Sequence, residues 1–219
     1  MTAAVSLAGL RIVVSAGPTF EDIDPVRFIG NRSSGKMGFA IAAAAARRGA
    51  QVVLVAGPVH LDTPASVQRI DVRSATQLRD AVIAALPADV YIGAAAVADY
   101  APRAIAGNKI KKSADILTLE LVRTPDTLAE VSASPSRPRC VVGFAAETEN
   151  IEAHARGKLQ KKNLDLIAAN RVGVAGSGFE SDDNALTVYS RDGVQALGPA
   201  PKTQLADELL TLIAERLHA

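Results

Sequence analysis

Residues 36–56 read KMGFAIAAAAARRGAQVVLVA. The first part is rich in alanine, the residue that resists helix formation least, and predicts a helix. Arg47 and Arg48 suit its carbonyl-rich end, and Gly49 supplies the stop. The second part, Gln51–Ala56, is short, apolar and β-branched, which predicts a buried strand ended by Gly57-Pro58. A helix that feeds a continuously apolar strand is the repeating unit of a parallel sheet.

Working outward, LRIVVSA (residues 10–16) is a second buried strand, closed by Gly17-Pro18. Residues 17–35 read as loop. VQRIDV is a third strand. Ser74 is placed to cap the helix ATQLRDAVIAAL, and DVYIGAAAVA is a fourth strand running into a loop. Further on, LTLELV, CVVGFAA and LDLIAAN read as strands, PDTLAEVSAS and NIEAHARGKLQKKN as helices, and NALTVYSRDG with VQALG as a terminal hairpin. KTQLADELLTLIAERL closes the chain as an amphipathic helix. The order predicts an α/β fold: a Rossmann-like, mainly parallel sheet with helices on both faces. Ligands of such sheets bind beyond the carboxyl ends of the strands, which directs attention to residues 17–19, 57–58, 95–99, 144–147 and 170. Residues 100–116 carry little apolar periodicity and predict a lid or binding loop.

The chain has 219 residues, 48% of them apolar and 21% charged, enough to fill a core, and a formal net charge of +1. That charge gives no argument for a nucleic-acid or membrane surface, and aromatics at 4% with no Trp do not make a base-stacking platform. Cys140 is the single cysteine, which excludes an intrachain disulfide and a cysteine-rich zinc cluster; its apolar surroundings predict a buried strand residue. No apolar run is long enough to span a bilayer, and the default expectation is a soluble cytoplasmic protein.

Upstream of the helix, GNRSSGKMG (residues 30–38) begins with the G-x-x-x-x-G-K pattern of a phosphate-binding P-loop. Two features argue against that reading. The preceding strand ends near Ala16, and Met37 stands where Ser or Thr would hold Mg²⁺. Lys36 then becomes incidental. Asn31, Arg32, Ser33 and Ser34 still precede a helix N-terminus, whose free N–H groups suit an anion; a plain cap by Ser33 or Ser34 explains the serines equally. A dinucleotide fingerprint is absent after the first strand, where SAGPTF lacks G-x-G-x-x-G. Two lysine clusters complete the inventory: Lys109, Lys111 and Lys112 on the predicted lid, and Lys158, Lys161 and Lys162, of which Lys158 and Lys162 share a helix face. Each alone is compatible with a solvated basic face. Together with Asp99 at a strand end they point to a polyphosphate site with a bridging cation.

The pieces SAGPT, DPVRFIGNRSSGKMGFAIA, AAAVADY, KIKK, VGFAAET, KKNLDLIAAN and SDDNAL occur in order from about residue 10 to 190. On these the sequence resembles the phosphopantothenate–cysteine ligases, the bacterial CTP-dependent type. The resemblance implies one ligase domain over residues 1–219, with 100–122 as lid and dimerisation segment. It implies a cytoplasmic homodimer, and fusion in the full-length protein to a flavin-dependent decarboxylase, with no flavin in this domain. The implied partners are CTP with Mg²⁺, 4′-phosphopantothenate and L-cysteine, with no nucleic acid or membrane, and an acyl-cytidylate as intermediate.

Carried over by position, Asn31 is the implied catalytic residue. The nucleotide pocket falls to Gly93, Ala94, Ala95, Asp99, Lys109, Pro125, Asp126, Thr127, Leu128, Phe144, Lys158 and Lys162, with Asp99 also the metal-holding group. Phe20 and Ala101 stand where basic residues are expected, so Arg27, Arg32 and Arg103 become candidates for the substrate phosphate, with Ser33 beside them. The alternative is a non-catalytic Rossmann-like nucleotide-binding module.

Overall fold

Short apolar runs, several rich in β-branched residues, favour extended backbone, and strands of this kind make up the parallel part of one eight-stranded sheet. The computed structural model describes residues 6–112, 115–147, 149–171 and 181–218. The chain opens with β1 (Arg11–Ala16), a small hairpin of β2 (Phe20–Asp24) and β3 (Arg27–Gly30), and helix α1 (Lys36–Arg47). It continues through β4 (Gln51–Ala56), β5 (Val67–Asp71), α2 (Ala75–Ala84) and β6 (Val90–Gly93). A second small ribbon pairs β7 (Tyr100–Pro102) with β8 (Leu121–Arg123). There follow α3 (Thr127–Ala133), β9 (Cys140–Glu147), α4 (Ile151–Lys161) and β10 (Leu166–Arg171). The hairpin β11 (Asp183–Tyr189) and β12 (Val194–Pro201) leads into α5 (Lys202–His218).

The main sheet has eight strands in the order β12-β11-β10-β9-β6-β1-β4-β5. All neighbours from β10 to β5 are parallel, and β11 and β12 add an antiparallel edge. From β1 the chain winds outward to β4 and β5, then returns to β6 on the other side of β1. The strand order therefore reverses between β1 and β6, and a crevice opens there at their carboxyl ends. The central strands read as unbroken apolar runs because helices cover both of their faces. Val14, Leu54 and Ile92 pack toward α1 and α5, whereas Val13, Val55 and Tyr91 pack toward the α2 and α4 side.

Helix α1 buries Gly38, Ile41, Ala42 and Ala45, one stripe at helical spacing. Gly38 lies so close to β1 that an added Cβ would sit 2.4 Å from the Ala16 Cβ. Helix α2 begins at Ser74 as expected: the Ser74 hydroxyl accepts from the Gln77 N–H in a reciprocal capping box. The cap of α1 differs from expectation. Its N-cap is Gly35, in the left-handed region at φ 77°, and neither Ser33 nor Ser34 is the capping residue.

Three other stretches differ from the sequence reading. Residues 17–35 are not all loop, because β2 and β3 form a hairpin in which Phe20 and Phe28 stack at 3.9 Å and the Arg73 guanidinium lies over both rings. That ribbon is stabilised by its own aromatic pair and carries no run of apolar residues. The strand expected over LTLELV is shorter and later, at Leu121–Arg123. The lid segment contains β7 at its start; its residues 113 and 114 lie outside the described residues.

Candidate active site

The crevice between β1 and β6 is a cavity of about 780 Å³. Its floor comes from the backbone just past each strand. Ala96 continues the sheet briefly, with its N–H donating to the Gly17 carbonyl (2.9 Å) and its carbonyl accepting from the Thr19 N–H (3.2 Å). The buried Thr19 hydroxyl accepts from the Ala98 N–H at 3.0 Å, which fixes the turn that follows. Below, the hydroxyls of Ser15 and Tyr91 share a hydrogen bond of 3.0 Å, and burial pushes the Tyr91 phenol up to about 12, so it stays protonated.

Asn31 reaches into this crevice from the end of the β2–β3 hairpin. Its side-chain N–H₂ donates to the Ala96 carbonyl at 2.9 Å. A carboxamide carries two N–H donors, so one remains for a ligand. Asn31 and Ser33 line the cavity, as do Gly93, Ala94, Ala95 and Asp99. So do Pro125, Asp126, Thr127, Leu128, Phe144, Lys158 and Lys162. The small residues at 93–95 leave the backbone open to close approach; an added Cβ at Gly93 would meet the Leu128 side chain at 3.2 Å. The Thr127 hydroxyl is buried and makes no hydrogen bond to the described residues, a donor and acceptor pair left unmet at the cavity wall.

The lysines of α4 are held by carboxylates. Lys158 Nζ donates to Glu147 Oε1 at 2.7 Å, and Lys162 lies 2.8 Å from Asp126 Oδ2. Burial pushes the Glu147 carboxyl up, but the hydrogen bonds and charges of Lys158 and His154 outweigh it, so the net direction is down. Both lysines are thus held by ion pairs at the cavity wall. Asp126 also caps α3 by accepting from the Ala129 N–H.

Arg27, Arg32 and Lys109 do not line the cavity. Arg27 is committed elsewhere: its guanidinium donates to the buried Asp24 carboxylate and to the Ile110 carbonyl at 2.9 Å. Asp24 accepts in turn from the N–H groups of Val26, Arg27 and Ile110. The hydrogen bond from Arg27 holds its carboxyl well below the usual carboxylate range. This clamp grips Ile110, the neighbour of Lys109, and so ties the lid segment to the hairpin. Arg103 pairs with Glu120 across the β7–β8 ribbon.

Several lining residues carry no role in the sequence reading, among them Lys36, Lys202, Asn170 and Asn184. Lys36, set aside with the P-loop reading, faces the cavity from the first turn of α1, and Lys202 does so from the first residue of α5. Asn170 and Asn184 line it from the ends of β10 and β11. Asn170 was flagged only as lying just past a strand. Lys36 and Lys202 are 166 positions apart in sequence, and only the packing of α1 on α5 brings them together.

A doubly wound α/β domain with a switch-point crevice, small residues on its floor and lysines on its rim is built to take a large anionic ligand. The chain belongs to the DNA/pantothenate metabolism flavoprotein C-terminal domain family, whose model matches residues 7–217. It is similar to the coenzyme A biosynthesis bifunctional protein CoaBC of Vibrio cholerae, 51% identical over 214 residues, covering 96% of this chain and 54% of that protein. The CoaBC protein of Escherichia coli is 52% identical over 208 residues, covering 93% and 51%. The chain therefore spans about half the length of these relatives. The crystal structure of the C-terminal domain of a CoaBC protein superposes with TM-score 0.82 at 40% identity, covering 99% of both chains. The fold is shared more distantly by a Cab2 H337A variant in complex with phosphopantothenate-cysteine, at TM-score 0.73 and 15% identity, covering 95% of this chain and 87% of that one. No helix among the described residues is long and apolar enough to cross a membrane.

Proposed function

We propose that this chain is the ligase of coenzyme A biosynthesis that joins 4′-phosphopantothenate to L-cysteine at the expense of CTP. The observation that carries the reading is Asn31, whose carboxamide is fixed on the Ala96 carbonyl inside the crevice of a chain from this family. The substrate carboxylate attacks the α-phosphate of CTP, giving an acyl-cytidylate and pyrophosphate. The amine of cysteine then attacks the acyl carbon and displaces CMP. The remaining Asn31 N–H is in place to stabilise charge on the acyl oxygen, and a neutral amide does so without taking a proton. Gly93, Ala94 and Ala95, with residues 125–128 and Phe144, form the nucleoside side of the crevice. Lys158 and Lys162 exchange their carboxylate partners for phosphate oxygens when the nucleotide enters.

Among the described residues two carboxylates, Asp99 and Asp126, line the cavity, and Asp126 is engaged by Lys162 and α3. Among the described residues no three His, Cys, Asp or Glu side chains form a metal-binding group. That donor set would suit Mg²⁺ held mainly by substrate phosphates, with Asp99 as its protein ligand, the usual manner for this ion. The ion would supply charge neutralisation on the phosphates.

The reading includes a homodimer. Ile105, Ile116 and Leu117, on residues 105–122, are 64%, 81% and 55% exposed. Apolar residues exposed together on a lid mark an interaction surface. Lys109, outside its own cavity, then serves the neighbouring site. The two CoaBC relatives are bifunctional and about twice as long as this match, which supports a flavin-dependent decarboxylase as the other half of the full-length protein. The test is pyrophosphate release from purified protein. It should require CTP, Mg²⁺ and 4′-phosphopantothenate together; turnover with ATP but none with CTP, or nucleotide binding without turnover, overturns the reading.

A further inference from the structure

Lys36 and Lys202 enter the crevice from the α1/α5 layer, while Lys158 and Lys162 enter from α4 on the other face of the sheet. Lys202 is only 5% exposed. Burial pushes its ammonium down, the charge of Lys36 adds to this, and Asp182 opposes it, so the two ammonium groups sense one another. Converging two like charges is costly, and an anion between them relieves the repulsion. Both ammonium groups already have partners, the Ser181 carbonyl for Lys202 and Asp182 for Lys36 at 2.7 Å, but the Asp182 side chain is 87% exposed. A counter-ion so open to water is one that a more highly charged ligand displaces. Asn170 adds an independent sign: it is 9% exposed, lines the same cavity, and its carboxamide makes no hydrogen bond to the described residues. The first-turn N–H groups of the 12-residue helix α1 lie alongside Lys36.

We propose that Lys36, Lys202 and Asn170 form the subsite that takes the pyrophosphate leaving group of the nucleotide. This rests on the ligase reading. With the nucleoside on the β6 and α3 side, the α-phosphate within reach of Lys158 and Lys162, and the reacting carboxylate near Asn31, the β- and γ-phosphates extend toward the α1/α5 wall. In the first step a carboxylate oxygen bonds to the α-phosphorus, and the bond from that phosphorus to the oxygen bridging to the β-phosphate breaks. The bridging oxygen keeps the electron pair and departs in pyrophosphate; no proton moves. Negative charge grows on the leaving group as the bond breaks, so two ammonium groups there act on the transition state as well as on binding.

Calorimetric titration of the chain with sodium pyrophosphate, CTP, CMP and 4′-phosphopantothenate, in the presence of MgCl₂, tests this. Lys36→Gln, at a half-buried and repairable position, should weaken pyrophosphate and CTP by about tenfold or more, the worth of one charged hydrogen bond. CMP and 4′-phosphopantothenate should bind as before, and Lys36→Arg should restore most of the loss. Asn170→Asp, nearly isosteric, should weaken pyrophosphate further by placing a carboxylate in the subsite, with thermal melts confirming that both variants fold. Loss of 4′-phosphopantothenate affinity instead would assign the lysines to the acyl substrate's phosphate and overturn the proposal. So would unaltered pyrophosphate affinity, or no pyrophosphate binding by the parent chain. Synthesis by the parent chain with an unaltered Lys36→Gln sinks the subsite alone, whereas absence of CTP-dependent synthesis sinks the ligase reading.

Discussion

On the proposed function, Asn31 sits where charges of both signs crowd: a carboxylate and a polyphosphate on one side, lysines on the other. A neutral amide with one N–H spent on Ala96 and one in reserve adds a donor without adding charge. Asn31→Asp keeps the shape and reverses that logic, since a carboxylate cannot donate and repels the acyl-phosphate. Overall synthesis should fall about 100-fold or more, as for loss of one preorganised donor, with CTP affinity much less affected. Single-turnover analysis reads both quantities, and unchanged synthesis would remove Asn31 from the mechanism. At this scale the sequence was informative where residues are neighbours in a motif. Asn31, Asp99 and the α4 lysines stood out by spacing and resemblance, and all line the crevice. Arg27 stood out too, but its guanidinium is absorbed by Asp24 three residues earlier, a commitment that no spacing rule distinguishes from a free arginine. Lys36 and Lys202 were missed because their meeting is a product of tertiary packing.

Among the elements, α1 and β1 show why glycine recurs in the opening block. Gly38 lets the helix axis approach β1 until Ala16 fills the space where a side chain would go. In an isolated helix Gly→Ala gains about 1 kcal/mol. Here Gly38→Ala should lower stability by about 1–3 kcal/mol, because the new Cβ meets the Ala16 Cβ and Cα and either α1 or β1 must shift. Urea unfolding monitored by circular dichroism measures this, and a stabilised variant would contradict the close packing. The strands and helices of the main sheet were legible because burial on two faces writes itself as an apolar run and helical burial as a stripe. The β2–β3 hairpin was not legible. FEDID carries three acids among five residues, its strand partner is largely exposed, and its stability comes from the Phe20–Phe28–Arg73 stack, with Arg73 arriving from beyond β5. The cap of α1 was misassigned for a related reason: Gly35 in a left-handed conformation shapes the turn with no side chain to announce it.

The whole molecule pairs a rigid doubly wound sheet with a projecting segment that the Asp24–Arg27 clamp holds by its backbone at Ile110. The placement of chemistry follows: polar groups at strand ends, cations on both helical layers, and no thiol among the described residues that line the crevice. Cys140, the chain's single cysteine, opens β9 at 0% exposure, and burial pushes its thiol up to about 12. On the proposed function, a catalyst that admits free cysteine faces a hazard peculiar to its substrate, since an accessible thiolate on the protein would trap cystine as a mixed disulfide. Sealing the only sulfhydryl in the sheet removes that side reaction without any dedicated defence. The native protein should therefore resist a thiol-specific chromogenic reagent and release one equivalent only after denaturation; prompt labelling of the folded chain would show the seal to be incomplete. Tolerance of oxidising storage and of excess cystine becomes, on this view, a property of where one strand begins.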